Sequence, residues 1–289
     1  MPDWVTLFSS LRAHDIKVAM ACTPQPITGG DISSAWRIDA LDHQFFLKTG
    51  PVSAYDSFLA EADGLTELKQ ANALRIPEVL HCGVSSADSF LVLEWIDFES
   101  VSARAEEKLG EQLAQQHKCL SESFGWYRDN IIGSTPQRNQ PSDDWLKFFS
   151  EFRLGFQLEL AAANGYRGQL EKDGQKLLNS LAGFFENHSP EPSLLHGDLW
   201  GGNWAVADGN PVLFDPAVYY GDRETDLAMT ELFGGFGDSF YVAYDRTWPL
   251  SPGFGERRLL YQLYHVLNHL NIFGVGYLQS AHRIIKQLI

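Results

Sequence analysis

The spacing of the apolar residues changes near residue 96, and that change limits the folds open to the chain. Before it, short alternating or apolar runs dominate: AWRIDA, QFFLK (Gln44–Lys48), Glu78–Gly83 and SFLVLEW (Ser89–Trp95). Such runs read as strands, whose successive side chains point to opposite faces. The turn between the first two falls at Asp42 or His43. One helical stripe is inserted among them, with Phe58, Leu59, Ala62, Leu65 and Leu68 at helical spacing. Asp56 or Ser57 suits its N-cap, and Ile76-Pro77 marks its end. A short opening helix is expected from Val5, Leu7, Phe8 and Leu11. Beyond Ile96, residues 104–120, 142–163 and 169–187 read as helices. Strands return at SLLHGDL, NWAVAD and PVLFDP, and the chain from Glu224 is helical with Gly-, Pro- and aromatic-rich loops. The expected order is a small β-rich lobe over residues 1–96, a short connector, and a larger mostly helical lobe over 97–289.

Charge and cysteine content narrow the function. The 289 residues carry 22 Lys+Arg against 37 Asp+Glu, a net charge of −15. That balance disfavours nucleic acid or an anionic membrane as partner, since either needs a basic face. Cys22, Cys82 and Cys119 form no close pair, which points to a reducing compartment. The N-terminus lacks a basic leader followed by an apolar run, and no stretch approaches the eighteen or so apolar residues of a membrane span. A soluble, cytoplasmic protein is expected.

The segment SLLHGDLWGGNWAVADGNPVLFDP carries the chemistry. It holds His196-x-Asp198-x-x-x-x-Asn203, and Asp215 follows in a strand-like run. Phosphoryl transfer needs one carboxylate to orient the acceptor hydroxyl or take its proton. It needs a carboxamide oxygen and a second carboxylate to hold Mg²⁺ on the phosphates. Asp198 suits the first role, Asn203 and Asp215 the second. The competing reading is that these are turn residues of a hairpin.

The N-terminal half supplies a complement. Lys48 ends a strand and Glu61 lies in the next helix, the arrangement that positions the α/β-phosphates of ATP in kinases. Taken singly, each is as readily a solvated surface charge. Gly29-Gly30, with the small polar residues after it, could fold over phosphates through backbone N–H groups or form a plain hairpin turn. Glu94 and Ile96 lie at the lobe junction, where an adenine would pair with backbone groups; Glu94 is otherwise a strand-end charge.

LLHGDLWGGNWAV and PVLFDPAVYYGDRETDLAMTELFGGF resemble the fructosamine kinase (ketosamine-3-kinase) family. GGDISSAWRI, FFLKTG with FLAEADGLTEL, and FGWYRDNIIGSTPQRNQ agree, so the resemblance runs from about Ile27 to the C-terminus. It implies a two-lobed protein-kinase-like α+β fold, close to the aminoglycoside phosphotransferases, with a small antiparallel-sheet N-lobe holding one helix. It implies ATP-dependent phosphorylation, with Mg²⁺, of the sugar 3-hydroxyl of a ketosamine, either a small molecule or a glycated protein lysine, as a deglycation step. Residue by residue, Asp198 falls on the catalytic base, Asn203 and Asp215 on the metal ligands, Lys48 on the phosphate lysine and Glu61 on its helix partner. Trp200 is placed to stack on the sugar-amine part of the substrate, or else packs in the core. Asp226 is read as a brace of the catalytic loop. A Cys found in the glycine loop of some members is replaced here by Asp31, which implies no redox link between chains. An aminoglycoside- or choline-type kinase shares the same constellation, and a nucleotide-binding pseudokinase is the alternative outside enzymes.

Overall fold

A computed structural model describes residues 2–18, 22–27, 34–40 and 43–289. Gly29, Gly30, Asp31 and Asp42 lie outside the described residues. Helix α1 (Trp4–Ala13) is capped by Asp3, whose carboxylate accepts from the N–H and hydroxyl of Thr6. Strands β1 (Gln25–Ile27), β2 (Ser34–Asp39), β3 (Gln44–Pro51), β4 (Val79–Val84) and β5 (Asp88–Glu94) form an antiparallel sheet in the order β1-β2-β3-β5-β4. Between β3 and β4 runs α2 (Tyr55–Gln70).

β5 is apolar at four successive positions, Phe90 to Leu93, so both its faces need cover. Phe90 and Val92 pack with Leu7, Phe8 and Leu11 of α1, while Leu91 and Leu93 join Phe58, Leu65 and Leu68 of α2. Residues 1–96 therefore hold two helices, the opening α1 and the inserted α2, one on each side of the sheet. Neither Asp56 nor Ser57 caps α2. The chain enters through a 3₁₀ turn, Val52–Ala54, and the Tyr55 N–H donates to the Val52 carbonyl, so a side-chain cap is not required there.

The C-lobe begins with α3 (Ala103–His117), capped by Ser102. A small hairpin follows, β6 (Asn130–Ile132) and β7 (Thr135–Gln137). Helix α4 (Trp145–Phe148) runs through a π-helical stretch, Phe149–Gly155, into α5 (Phe156–Ala163), then α6 (Gln169–Ser180). Four short strands come next: β8 (Ser193–Leu195), β9 (Trp204–Ala207), β10 (Asn210–Leu213) and β11 (Tyr219–Gly221). β8 pairs with β11, and β9 with β10 across Asp208-Gly209, both at positive φ as a two-residue hairpin turn requires. Helices α7 (Glu224–Thr230), α8 (Asp238–Thr247), α9 (Phe254–Phe273) and α10 (Leu278–Leu288) complete the lobe. One apolar cluster continues from α2 to α10, so the two lobes share a core. Among the described residues no helix is long and apolar enough to cross a membrane.

Candidate active site

The pairs β8–β11 and β9–β10 hold a loop, His196–Asn203, beside the segment that follows Asp215. The Ala217 N–H donates to the His196 carbonyl at 2.8 Å. Gly197 has φ +83°, and a Cβ there would lie 2.0 Å from the Ala217 oxygen, so only glycine fits. His196 is buried. Its Nδ1 accepts from the Asp198 N–H at 3.3 Å and its Nε2 donates to the Phe214 carbonyl at 3.0 Å, which assigns the proton to Nε2. Burial pulls its pKa down, so the ring stays neutral.

Asp226 on α7 braces this loop from below. Its carboxylate accepts from the backbone N–H groups of His196 and Gly197 at 2.7 and 2.9 Å, and lies 3.1 Å from Nε2 of His117. Burial alone would raise the Asp226 pKa; His117, His196 and the Gly197 amide outweigh it and hold the carboxylate low. The role of His117 is not legible in the sequence. Its one signal is a histidine on the buried face at the end of α3.

Asn203 Nδ2 donates to the Asp198 carbonyl at 2.8 Å, to the Asp198 carboxylate at 3.3 Å and to the Asp215 carbonyl at 3.4 Å. Burial at the cleft floor, and next the charge of Asp215, push the Asp198 carboxyl up to about 7, against the lowering hydrogen bond from Asn203. Asp215 adopts the left-handed region at φ +55°, unusual for a residue other than glycine. Its exposed carboxylate accepts from Lys48 Nζ at 2.5 Å, and the same ammonium donates to Glu61 at 2.7 Å. Burial works against the Lys48 charge, but Glu61 and Asp215 more than restore it and raise its pKa. Residues 48, 61, 198, 203 and 215 thus meet in one cleft. The second Asp215 oxygen and the Asn203 amide oxygen are hard donors of the kind Mg²⁺ takes, so the residues fit that ion.

The other expected positions are placed as follows. The Glu94 N–H donates to the Glu78 carbonyl at 2.8 Å, and its carboxylate accepts from Arg75 at 3.0 Å and from the Glu78 N–H at 3.2 Å. Arg75 also reaches Asp208 at 2.8 Å, tying the lobe junction to the β9–β10 turn. Ile96 lies in the connector between β5 and α3. The Trp200 ring is 39% exposed, which sets it outside the core, and it meets Phe233 edge-on at 6.2 Å. His188, Asp222 and Glu224 lie together elsewhere in the C-lobe. Arg257 binds Glu224 through two bonds of 2.7 and 2.9 Å, while His188 and Tyr261 meet Asp222 at 2.7 and 2.5 Å. A guanidinium already sits where a cation would, so this cluster is a charge network that fastens α7 to α9.

The family model described as fructosamine kinase matches residues 4–289. The chain belongs to the fructosamine kinase family. This fructosamine kinase family member is 41% identical over 265 residues to a "probable ketoamine kinase" of Synechocystis, covering 91% of this chain and 89% of that one. It is 43% identical over 269 residues to the chloroplastic protein-ribulosamine 3-kinase of Oryza sativa subsp. indica, covering 91% and 78%. Among solved structures, a Haemophilus somnus protein assigned as a fructosamine-3-kinase superposes with a TM-score of 0.91 at 30% identity, covering 99% and 97%. An aminoglycoside phosphotransferase shares the fold at a TM-score of 0.67 and 16% identity, covering 98% of each chain.

Proposed function

We propose that the protein transfers the γ-phosphoryl group of ATP to the sugar 3-hydroxyl of a ketosamine, a fructosamine or ribulosamine carried on a small amine or a protein lysine. The observation that carries the reading is the meeting of Lys48, Glu61, Asp198, Asn203 and Asp215 in one cleft. The relatives named ketoamine kinase and ribulosamine 3-kinase support the acceptor class.

In this reading residues 1–96 grip the nucleotide. Lys48 holds phosphate oxygens and Glu61 orients Lys48. The Glu94 N–H is already donated, so an adenine edge takes the Glu94 carbonyl and the Ile96 N–H. Residues 97–289 carry the chemistry. Asp198 accepts the proton of the sugar hydroxyl as its oxygen bonds to phosphorus and the bond from phosphorus to the ADP oxygen breaks. Burial raises the Asp198 carboxyl above the ordinary range, which strengthens it as a base. Asp215 and Asn203 would hold Mg²⁺, which supplies positive charge to the phosphates. Trp200 offers an exposed indole face to the sugar and its ammonium.

The test is ADP release with and without a fructosamine or ribulosamine, with ³¹P detection of the product. Asp198→Asn should lower kcat about a hundred-fold or more while nucleotide affinity stays within about two-fold. Near-normal turnover in that variant removes Asp198 from its role. Phosphorylation of aminoglycosides but of no ketosamine overturns the acceptor class.

A further inference from the structure

Helix α2 has a second set of attachments, on the side away from Lys48. Arg128, in the loop before β6, donates to the Asp63 carboxylate at 2.5 Å and to the Asp56 carbonyl at 3.3 Å. The Tyr220 hydroxyl of β11 donates to Glu67 at 2.6 Å. Between these contacts, Gly64 lies so close to the chain after Asp215 that a Cβ would be 3.1 Å from a Val218 methyl. At 3.6 residues per turn, Asp56, Asp63 and Glu67 lie roughly 200–240° round the helix from Glu61. Rotating α2 about its axis would break these bonds and withdraw Glu61 from Lys48 together.

The parts that grip α2 are themselves rigid. Asn130 Nδ2 donates to the Val218 carbonyl at 2.8 Å, and Gln137 Nε2 to the Ala217 carbonyl at 3.0 Å. Asn139 Nδ2 donates to the Arg128 carbonyl at 3.1 Å and to Asn130 Oδ1 at 2.8 Å. Arg153, fully buried, donates to Asn139 Oδ1 at 2.6 Å. These groups form a buried polar network in which the side-chain amides of Asn130, Gln137 and Asn139 are all engaged, so any displacement strands several partners at once. It joins the β6–β7 hairpin to the chain immediately after Asp215, and the hairpin presents Arg128 to the N-lobe.

We propose that Arg128 and Tyr220 are positioning residues for the phosphate lysine. Held from behind by the C-lobe, α2 keeps Glu61 against Lys48, so the geometry of the ion pair is set by the fold around the helix. The inference rests on the reading of Lys48 as the residue that binds the nucleotide phosphates.

The test is a double-mutant cycle read by equilibrium Mg-ATP binding on the full chain, with circular dichroism and thermal melts as folding controls. Arg128→Ala should weaken Mg-ATP binding about five- to thirty-fold in the parent but less than two-fold in a Lys48→Met background. The KM for the acceptor should move less than two-fold. Arg128→Lys keeps the charge and loses the fork, so it should recover only part of the affinity. Tyr220→Phe should act in the same direction, and less than additively with Arg128→Ala. Equal weakening in both backgrounds would show a general loss of structure and overturn the proposal. So would unchanged Mg-ATP affinity in Arg128→Ala alongside a weakened Lys48→Met. If Lys48→Met binds Mg-ATP as the parent does, the phosphate-lysine reading fails, and the positioning role falls with it.

Discussion

At the scale of single residues, the site combines backbone strain with side-chain chemistry. Asp215 occupies the left-handed region at φ +55°, a conformation that costs most residues about 1–2 kcal/mol. Asn tolerates that conformation better than Ala. Asp215→Asn should therefore lose phosphoryl transfer while its stability stays within about 1 kcal/mol of the parent, whereas Asp215→Ala should lose both. Turnover assays paired with thermal melts separate the two effects. Gly197 is more demanding, because an added Cβ would meet a backbone oxygen at 2.0 Å. Gly197→Ala should cost about 3–5 kcal/mol, in the range of the severe single substitutions, and denaturant midpoints measure it. Trp200→Ala should leave the melting temperature nearly unchanged, since the ring is already 39% exposed, and should raise the ketosamine KM about 2- to 30-fold. A large fall in stability with KM unaltered would return Trp200 to a packing role.

At the scale of elements, α9 carries a titrating group in its buried face. His265 is 3% exposed, its Nδ1 has no hydrogen-bond partner among the described residues, and burial, aided by His269, pulls its pKa down to about 3. In the unfolded chain the same ring titrates near about 6.5. Below that pH the unfolded state takes up a proton that the native state refuses. Stability is therefore complete above about pH 6.5 and falls by about 1.4 kcal/mol per pH unit toward pH 3 on account of this one ring. His117 and His196, also lowered by burial, steepen the loss. His265→Leu removes the titration and the unpaired nitrogen together. Its unfolding free energy between pH 7 and 4.5 should decline more gently than the parent's, by about one proton's worth of slope. An unchanged slope would mean that His265 titrates normally in the folded chain.

At the scale of the whole molecule, the lobes are joined by a common core, by Arg75 between Glu94 and Asp208, and by the Lys48–Asp215 contact across the cleft. A nucleotide seated between Lys48 and Asp215 adds a further link. Mg-ATP at about a hundred times its Kd should stabilise the fold by about 2.7 kcal/mol. EDTA should remove most of that gain, and Asp215→Asn should show no difference between ATP with and without Mg²⁺. Equal thermal shifts with and without the metal would place the cation elsewhere.

The sequence by itself determined the chemistry-bearing residues and the alternation of strand and helix that carries them. Phosphoryl transfer restricts residue types at short spacing, so Asp198, Asn203 and Asp215 stand out within eighteen positions of one another. The apolar run of β5 and the stripe of α2 are local periodicities that need no partner to be seen. The three-residue strands β1, β6, β7 and β11 are not legible in the sequence, because so few positions set no period. Arg128 meets Asp63 across 65 positions and Tyr220 meets Glu67 across 153, and His117 comes to Asp226 from another helix. Each of these polar side chains, read locally, is an ordinary charge, hydroxyl or imidazole. Only the tertiary structure decides its role, because a hydrogen-bond partner is chosen by proximity in space, and that proximity is fixed by the burial of the apolar core around it.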